Sequence, residues 1–108
     1  MLWVETIVCS SKQGVGARLR RMLNTRQEFK RRQAGCVAAW VGHAPDNGEM
    51  MLIQSVFESS DDWRRISELV QSNLDSEDGG IEGLLLGPPL VGVFEIKASE
   101  LSFHLQSE

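Results

Sequence analysis

No tyrosine occurs in this chain, so no phenolic O–H is on hand to hold a bound molecule. Cysteine is nearly as scarce. Cys9 and Cys36 stand alone, with no CxxC and no Cys/His cluster, so no zinc or other metal site is expected. Each falls at the end or start of a predicted strand, where a reducing compartment would keep it a free, buried thiol. A disulfide would need those two strand ends side by side. No apolar run approaches the ~20 residues that a membrane span requires. Positive charge is in deficit as well. The 11 Lys and Arg against 15 Asp and Glu give a net charge of −4, so the chain as a whole does not attract nucleic acid. Met1 leads straight into Leu2-Trp3-Val4, with no basic n-region or small-residue cleavage site. The expectation is a cytoplasmic protein without membrane partners.

What is present is an ordinary globular composition, 42% hydrophobic and 24% charged over 108 residues, which predicts one domain with a small core. The chain is organised around residues 37–58. Two strands, Val37–His43 and Glu49–Glu58, flank Ala44-Pro45-Asp46-Asn47-Gly48. Pro presets φ, and Asn and Gly tolerate positive φ, so this cluster reads as a turn. The second strand is apolar on both faces: Met51, Ile53 and Phe57 point one way, and Met50, Leu52 and Val56 the other. A hairpin strand of that kind needs cover on both sides.

The rest of the chain supplies one cover. Leu2–Cys9 is a β-branched, aromatic strand with Leu2, Val4, Thr6 and Val8 on one face and Trp3, Glu5, Ile7 and Cys9 on the other. A helix follows from about Gly14 to Gln33. Its apolar stripe runs through Val15, Leu19, Met22, Phe29 and Gln33, with Leu23 beside it and Arg26 on it. Arg18, Arg20, Arg21, Lys30, Arg31 and Arg32 fill the remainder, and Gly35 is the expected left-handed cap. Ser59 or Ser60 caps a second helix over about Asp61–Leu74, with Asp61 and Asp62 at its positive end and Ile66, Leu69, Val70 and Asn73 inward. Residues 75–80 read as a polar loop, Ile81–Leu86 as one short helical turn, and Leu90–Ala98 as the last strand beyond Gly87-Pro88-Pro89.

The order β-α-β-β-α-β with right-handed crossovers predicts an α+β, ferredoxin-like sandwich over residues 1–98, with 99–108 as a tail that forms a short strand or an arm. Two helices cover one sheet face. The other is too apolar to face water, and a homodimer packed sheet to sheet is its simplest cover.

At this point the chain resembles the antibiotic-biosynthesis-monooxygenase-like domains of the dimeric α/β-barrel superfamily. The resemblance spans about residues 2–97. It is carried by Gln33-Ala34-Gly35-Cys36 closing the long first helix, Phe57-Glu58-Ser59 before the second, and Gly87-Pro88-Pro89 before the last strand. It implies either a cofactor-independent monooxygenase of aromatic, polyketide-like substrates or a haem-degrading enzyme. The haem degraders use an Asn in the first strand, a Trp in the second helix and a His further on. This chain has Glu5 or Thr6, Ile66 and Ser76 near those places, which argues against haem degradation.

The candidate ligand-binding residues are Arg26, Trp40, His43 and Trp63. An Arg on an apolar helix stripe either points at an anion in a pocket, or snorkels or pairs with Glu5 or Glu95. His43 is a general base near neutral pH or an exposed hairpin-end residue, and His104 in the tail is a weaker case of the same kind. Trp3, Trp40 and Trp63 line an aromatic pocket or pack a core or interface. Lys12 to Arg32 holds eight of the eleven basic residues. That face suits nucleic acid or an acidic partner, but nothing aromatic interleaves with it and a solvated helix face is expected. Gly14-Val15-Gly16 fails as a phosphate loop, because Leu19 replaces the third Gly. Two functions stand, the first of them implied mainly by the resemblance. One is a cofactor-independent monooxygenase with its pocket between sheet and helices, near Arg26, Trp40 and Trp63. The other is a non-catalytic dimeric binder of small molecules.

Overall fold

The alternating runs of the sequence become a four-stranded antiparallel sheet backed by two helices. The computed structural model describes residues 1–101. Its elements are β1 (Leu2–Ser10), α1 (Gly16–Arg31), β2 (Cys36–Ala44), β3 (Asn47–Phe57), α2 (Ser60–Val70) and β4 (Leu90–Ile96). The strand order is β2-β3-β1-β4, which is the ferredoxin-like arrangement expected from the sequence. No helix among the described residues is long and apolar enough to cross a membrane.

The hairpin turn is tighter than expected. Pro45-Asp46 reverses the chain, and Ala44 pairs with Asn47. Neither Asn47 nor Gly48 takes a positive φ. Asn47 contributes its side-chain oxygen instead, which accepts from the Glu49 amide at 3.2 Å. Cys9 on β1 lies opposite Met51 near the middle of β3, and Cys36 on β2 opposite Phe57 at its end, so the cysteines are free and apart.

The helix α1 stops earlier than expected, at Arg31 with Arg32 as a right-handed C-cap, so Gly35 is not its cap. The Gly35 φ of +95° serves the following turn, where the Cys36 amide donates to the Gln33 carbonyl at 3.3 Å. A Cβ there would stand 2.4 Å from the Asp62 carboxylate, so position 35 also lets α2 begin close by. Ser59, rather than Ser60, is the N-cap of α2. Its hydroxyl accepts from the Asp62 amide at 3.1 Å and donates to the Asp62 carboxylate at 2.8 Å. That hydroxyl, then Arg65, hold the Asp62 carboxyl below its ordinary pKa.

Two further expectations change. The buried face of α1 is Leu19, Leu23, Arg26, Gln27 and Lys30, so the stripe is turned from the one read in the sequence and takes in Lys30. In addition, residues 71–78 are not a plain helix end and loop. A π-helical turn at Gln71–Asp75 and a further turn at Ser76–Asp78 extend α2, until Gly79 stops them at φ +83°. Side-chain ties to α1, described below, hold that extension. Glu82–Leu84 forms the expected short turn. Residues 98–101 curl helically instead of prolonging β4, and the rest of the expected tail strand, with Phe103 and His104, lies outside the described residues.

The two-faced sheet is as read. Met51, Ile53 and Phe57 are fully buried under the helices, with Cys9, Leu19, Leu23 and Ile66. On the opposite face Trp40, Met50, Leu90 and Phe94 are exposed, Leu90 at 74% and Phe94 at 57%. A hydrogen-bond chain crosses that face: Trp40 Nε1 donates to Gln54 Oε1 at 3.1 Å, and Gln54 Nε2 donates to Thr6 Oγ1 at 3.2 Å.

Candidate active site

Between the sheet and the helices lies a cavity of about 390 Å³. Its floor is Glu5, Ile7 and Ile53 from β1 and β3. One wall is Leu23, Arg26, Gln27 and Lys30 from α1, and the roof runs from Ser67 through Asp75 to Glu82. Strand alternation puts Glu5 and Ile7 on the helix side. Helical spacing puts residues 23, 26, 27 and 30 on one face.

The polar groups of floor and wall are connected. Lys30 is 7% exposed, and its ammonium donates to Ser55 Oγ at 3.1 Å. Gln27 Nε2 donates to the same hydroxyl at 3.0 Å and to the backbone carbonyls of Gln54 and Trp40. Those two carbonyls are acceptors only, which fixes the orientation of the amide. Glu5 Oε1 sits 3.9 Å from Lys30 Nζ, an ion pair without a hydrogen bond. Its other oxygen accepts from Trp63 Nε1 at 2.8 Å. Trp63 is steadied by Trp3, with ring centroids 5.8 Å apart. Burial pulls the Lys30 pKa down by more than the charge of Glu5 pushes it up. The result is a buried lysine beside a carboxylate, both lining the cavity, suited to moving a proton or engaging a carbonyl.

Arg26 also lines the cavity, but its guanidinium is spent. It donates to Asp75 Oδ1 through Nε and Nη2, to both Asp78 oxygens, and to the Met22 carbonyl. Those bonds use all of the N–H groups an arginine has. The pairing expected with Glu5 or Glu95 is instead with Asp75 and Asp78. Burial alone would lower the Arg26 pKa, but the Asp78 and Asp75 bonds outweigh it and raise it.

Of the residues singled out in the sequence, the structure brings together Arg26 on the wall and Trp63 behind Glu5. Trp40 lies on the far face of the sheet and does not line this cavity. His43 is exposed near the hairpin, opposite Met51. Gln27, Lys30 and Ser55 went unnoticed as site residues. The usable signal was Glu5 and Ser55 on the inner faces of two strands, a polar pair that needs partners from α1.

No protein-family model matches the chain, and no curated protein matches it in sequence. Solved structures do match. A candidate antibiotic biosynthesis monooxygenase from Nitrosomonas europaea aligns over 90% of this chain and 91% of its own, with a TM-score of 0.79 and 10% identity. SnoaB, a cofactor-independent oxygenase from Streptomyces nogalater, solved as a point variant, aligns over 89% of this chain and 93% of its own, with a TM-score of 0.74 and 18% identity. A second candidate monooxygenase, from Deinococcus radiodurans, covers 90% and 93% at a TM-score of 0.74 and 15% identity. This chain has the fold of the antibiotic-biosynthesis-monooxygenase-like domains. Within that fold its own polar lining includes Glu5, Gln27 and Lys30, the last two bonded to the buried Ser55 hydroxyl, and Thr6 faces away from the cavity toward Gln54.

Proposed function

We propose that this monooxygenase-like domain is a cofactor-independent oxygenase of a small aromatic or polyketide-like ketone, with the Glu5–Lys30 cavity as its site. One observation carries the reading: a carboxylate and a buried lysine stand 3.9 Å apart on the wall of a ligand-sized cavity. Glu5, oriented by Trp63, takes a proton from carbon next to the substrate carbonyl. Lys30 stabilises the electron density that collects on the carbonyl side. The resulting electron-rich carbon combines with O2, and loss of water turns a CH2 group into a new carbonyl. One O2 thus supplies one product oxygen and one water. The fold shared with SnoaB, named a cofactor-independent oxygenase, supports the reaction class.

The exposed sheet face completes the proposal. Leu90, Phe94, Trp40 and Met50 are left open on a flat apolar surface. A second copy of the chain covers it, giving a homodimer that leaves both cavities on its outer, helical sides.

The test is oxygen uptake with an anthrone-type ketone by the wild-type protein and by Glu5→Gln and Lys30→Ala. Uptake that falls by about 100-fold or more in each variant supports the assignment. Ligand binding without uptake would replace it with the binding-module reading.

A further inference from the structure

The three lysines of the chain are Lys12, Lys30 and Lys97. Lys12 and Lys97 are exposed, whereas Lys30 is sealed into the cavity wall. A buried ammonium normally fills its three donor positions. Among the described residues Lys30 has one hydrogen bond, to Ser55, and Glu5 stays just beyond hydrogen-bond distance. The amine thus lines the cavity with a carboxylate, an acid–base group, at its side.

We infer that Lys30 engages its ligand covalently, as an imine-forming lysine that takes a ketone or β-diketone in this cavity. The Lys30 nitrogen, unprotonated, adds to the carbonyl carbon, forming the C–N bond. Glu5 in its acid form gives a proton to the hydroxyl, which leaves as water, and regains one from the nitrogen. Ketone and amine thus become imine and water, with no oxidant needed. Protonated, the imine withdraws electrons from the adjacent C–H. Glu5 then accepts that proton and an enamine remains. Burial favours the neutral amine that begins the sequence. The inference rests on the cavity being the reactive site. It adds the bond by which a carbon acid is activated there.

The probe is 1-phenylbutane-1,3-dione, a small aromatic β-diketone whose lysine adduct is a conjugated enaminone that absorbs in the near ultraviolet. The intact protein is expected to gain the mass of the diketone less one water, once per chain, with peptide mapping placing it on Lys30. Lys30→Arg, which keeps the charge, should show no adduct, while Lys12→Arg and Lys97→Arg behave as wild type. Glu5→Gln should slow adduct formation by about 100-fold. Circular dichroism checks that Lys30→Arg is folded, and if it is not, the wild-type peptide map decides alone. An adduct on Lys12, Lys97 or the N-terminus instead of Lys30 would overturn the inference. A complex that keeps the full diketone mass, without loss of water, would overturn the imine and leave the cavity reading standing. Absence of any complex would overturn both.

Discussion

The indole of Trp63 donates to Glu5 across 2.8 Å, joining the first turn of α2 to the middle of β1 through a single hydrogen bond. That bond decides which way the carboxylate faces. Trp63→Phe keeps most of the ring packing on Trp3 and removes only the donor. A hydrogen bond to a charged acceptor contributes about 1.5–3 kcal/mol, so urea unfolding should show a loss of that order. Under the proposed oxygenase reaction, oxygen uptake should fall too, and Trp63→Phe should add little to the defect of Glu5→Gln, because both act through one carboxylate.

Arg26 ties the roof of the cavity to α1. Arg26→Ala should lower stability by roughly 1–3 kcal/mol, discounted because both aspartates are partly solvated. Arg26→Lys should recover little, since a single ammonium cannot span two carboxylates as a planar fork does. Hydrogen exchange is expected to quicken over residues 71–80 in both variants and to change little in β3.

The same tie has a signature in acid. The bond from Arg26 holds the Asp78 carboxyl below its ordinary range, as Ser59 does for Asp62. With the folded value lowered, the unfolded chain binds more protons in the window between the two values, so stability falls as the pH drops through it. The contribution is whole above the ordinary carboxylate pKa. Asp78→Asn should remove part of this acid sensitivity, read as a flatter dependence of the urea midpoint on pH below about 4.

Lys30 gives a slope of the same sign in alkaline solution, where raising the pH relieves the cost of a buried charge. Its folded pKa is lowered, so between that value and the unfolded one near 10.4 the unfolded chain holds the extra proton. Stability should therefore rise with pH across this window, and the rise should vanish in Lys30→Met. Lys30→Met alone strands the Glu5 charge. Lys30→Met with Glu5→Gln should be more stable than the sum of the two single changes implies.

Sedimentation of the wild-type protein should give the mass of a dimer, and Phe94→Glu that of a folded monomer. A wild-type monomer at micromolar concentration would remove the case for a partner on the open sheet face.

Much of the fold was legible because it rests on periodicity and punctuation. The two-sided apolar pattern of β3, the positive φ at Gly35 and the break at Gly87-Pro88-Pro89 depend on neighbours in sequence, and these appear as read, although Gly35 serves the turn after α1 and not the helix cap. The site was harder. Lys30 sits in a run of basic residues, and local pattern assigns such a run to solvent. Only the tertiary position of Glu5 and Ser55, one on each of two strands, shows why this lysine turns inward. Arg26 was noticed for its place on the stripe, but its partners lie some fifty residues on. There the sequence shows only an acidic stretch, and helical spacing gives no reason for the π turn that presents Asp75.

The strand order also bears on how the chain is made. In β2-β3-β1-β4 the first strand sits between the third and the last. On the ribosome β1, α1, β2 and β3 can assemble, with Glu5, Lys30 and Ser55 already in place, before β4 has emerged. Throughout that interval the outer edge of β1 has no neighbour, and its unpaired backbone invites the β4 of another nascent chain. Emergence of β4 thus closes a window for strand exchange as well as completing the sheet.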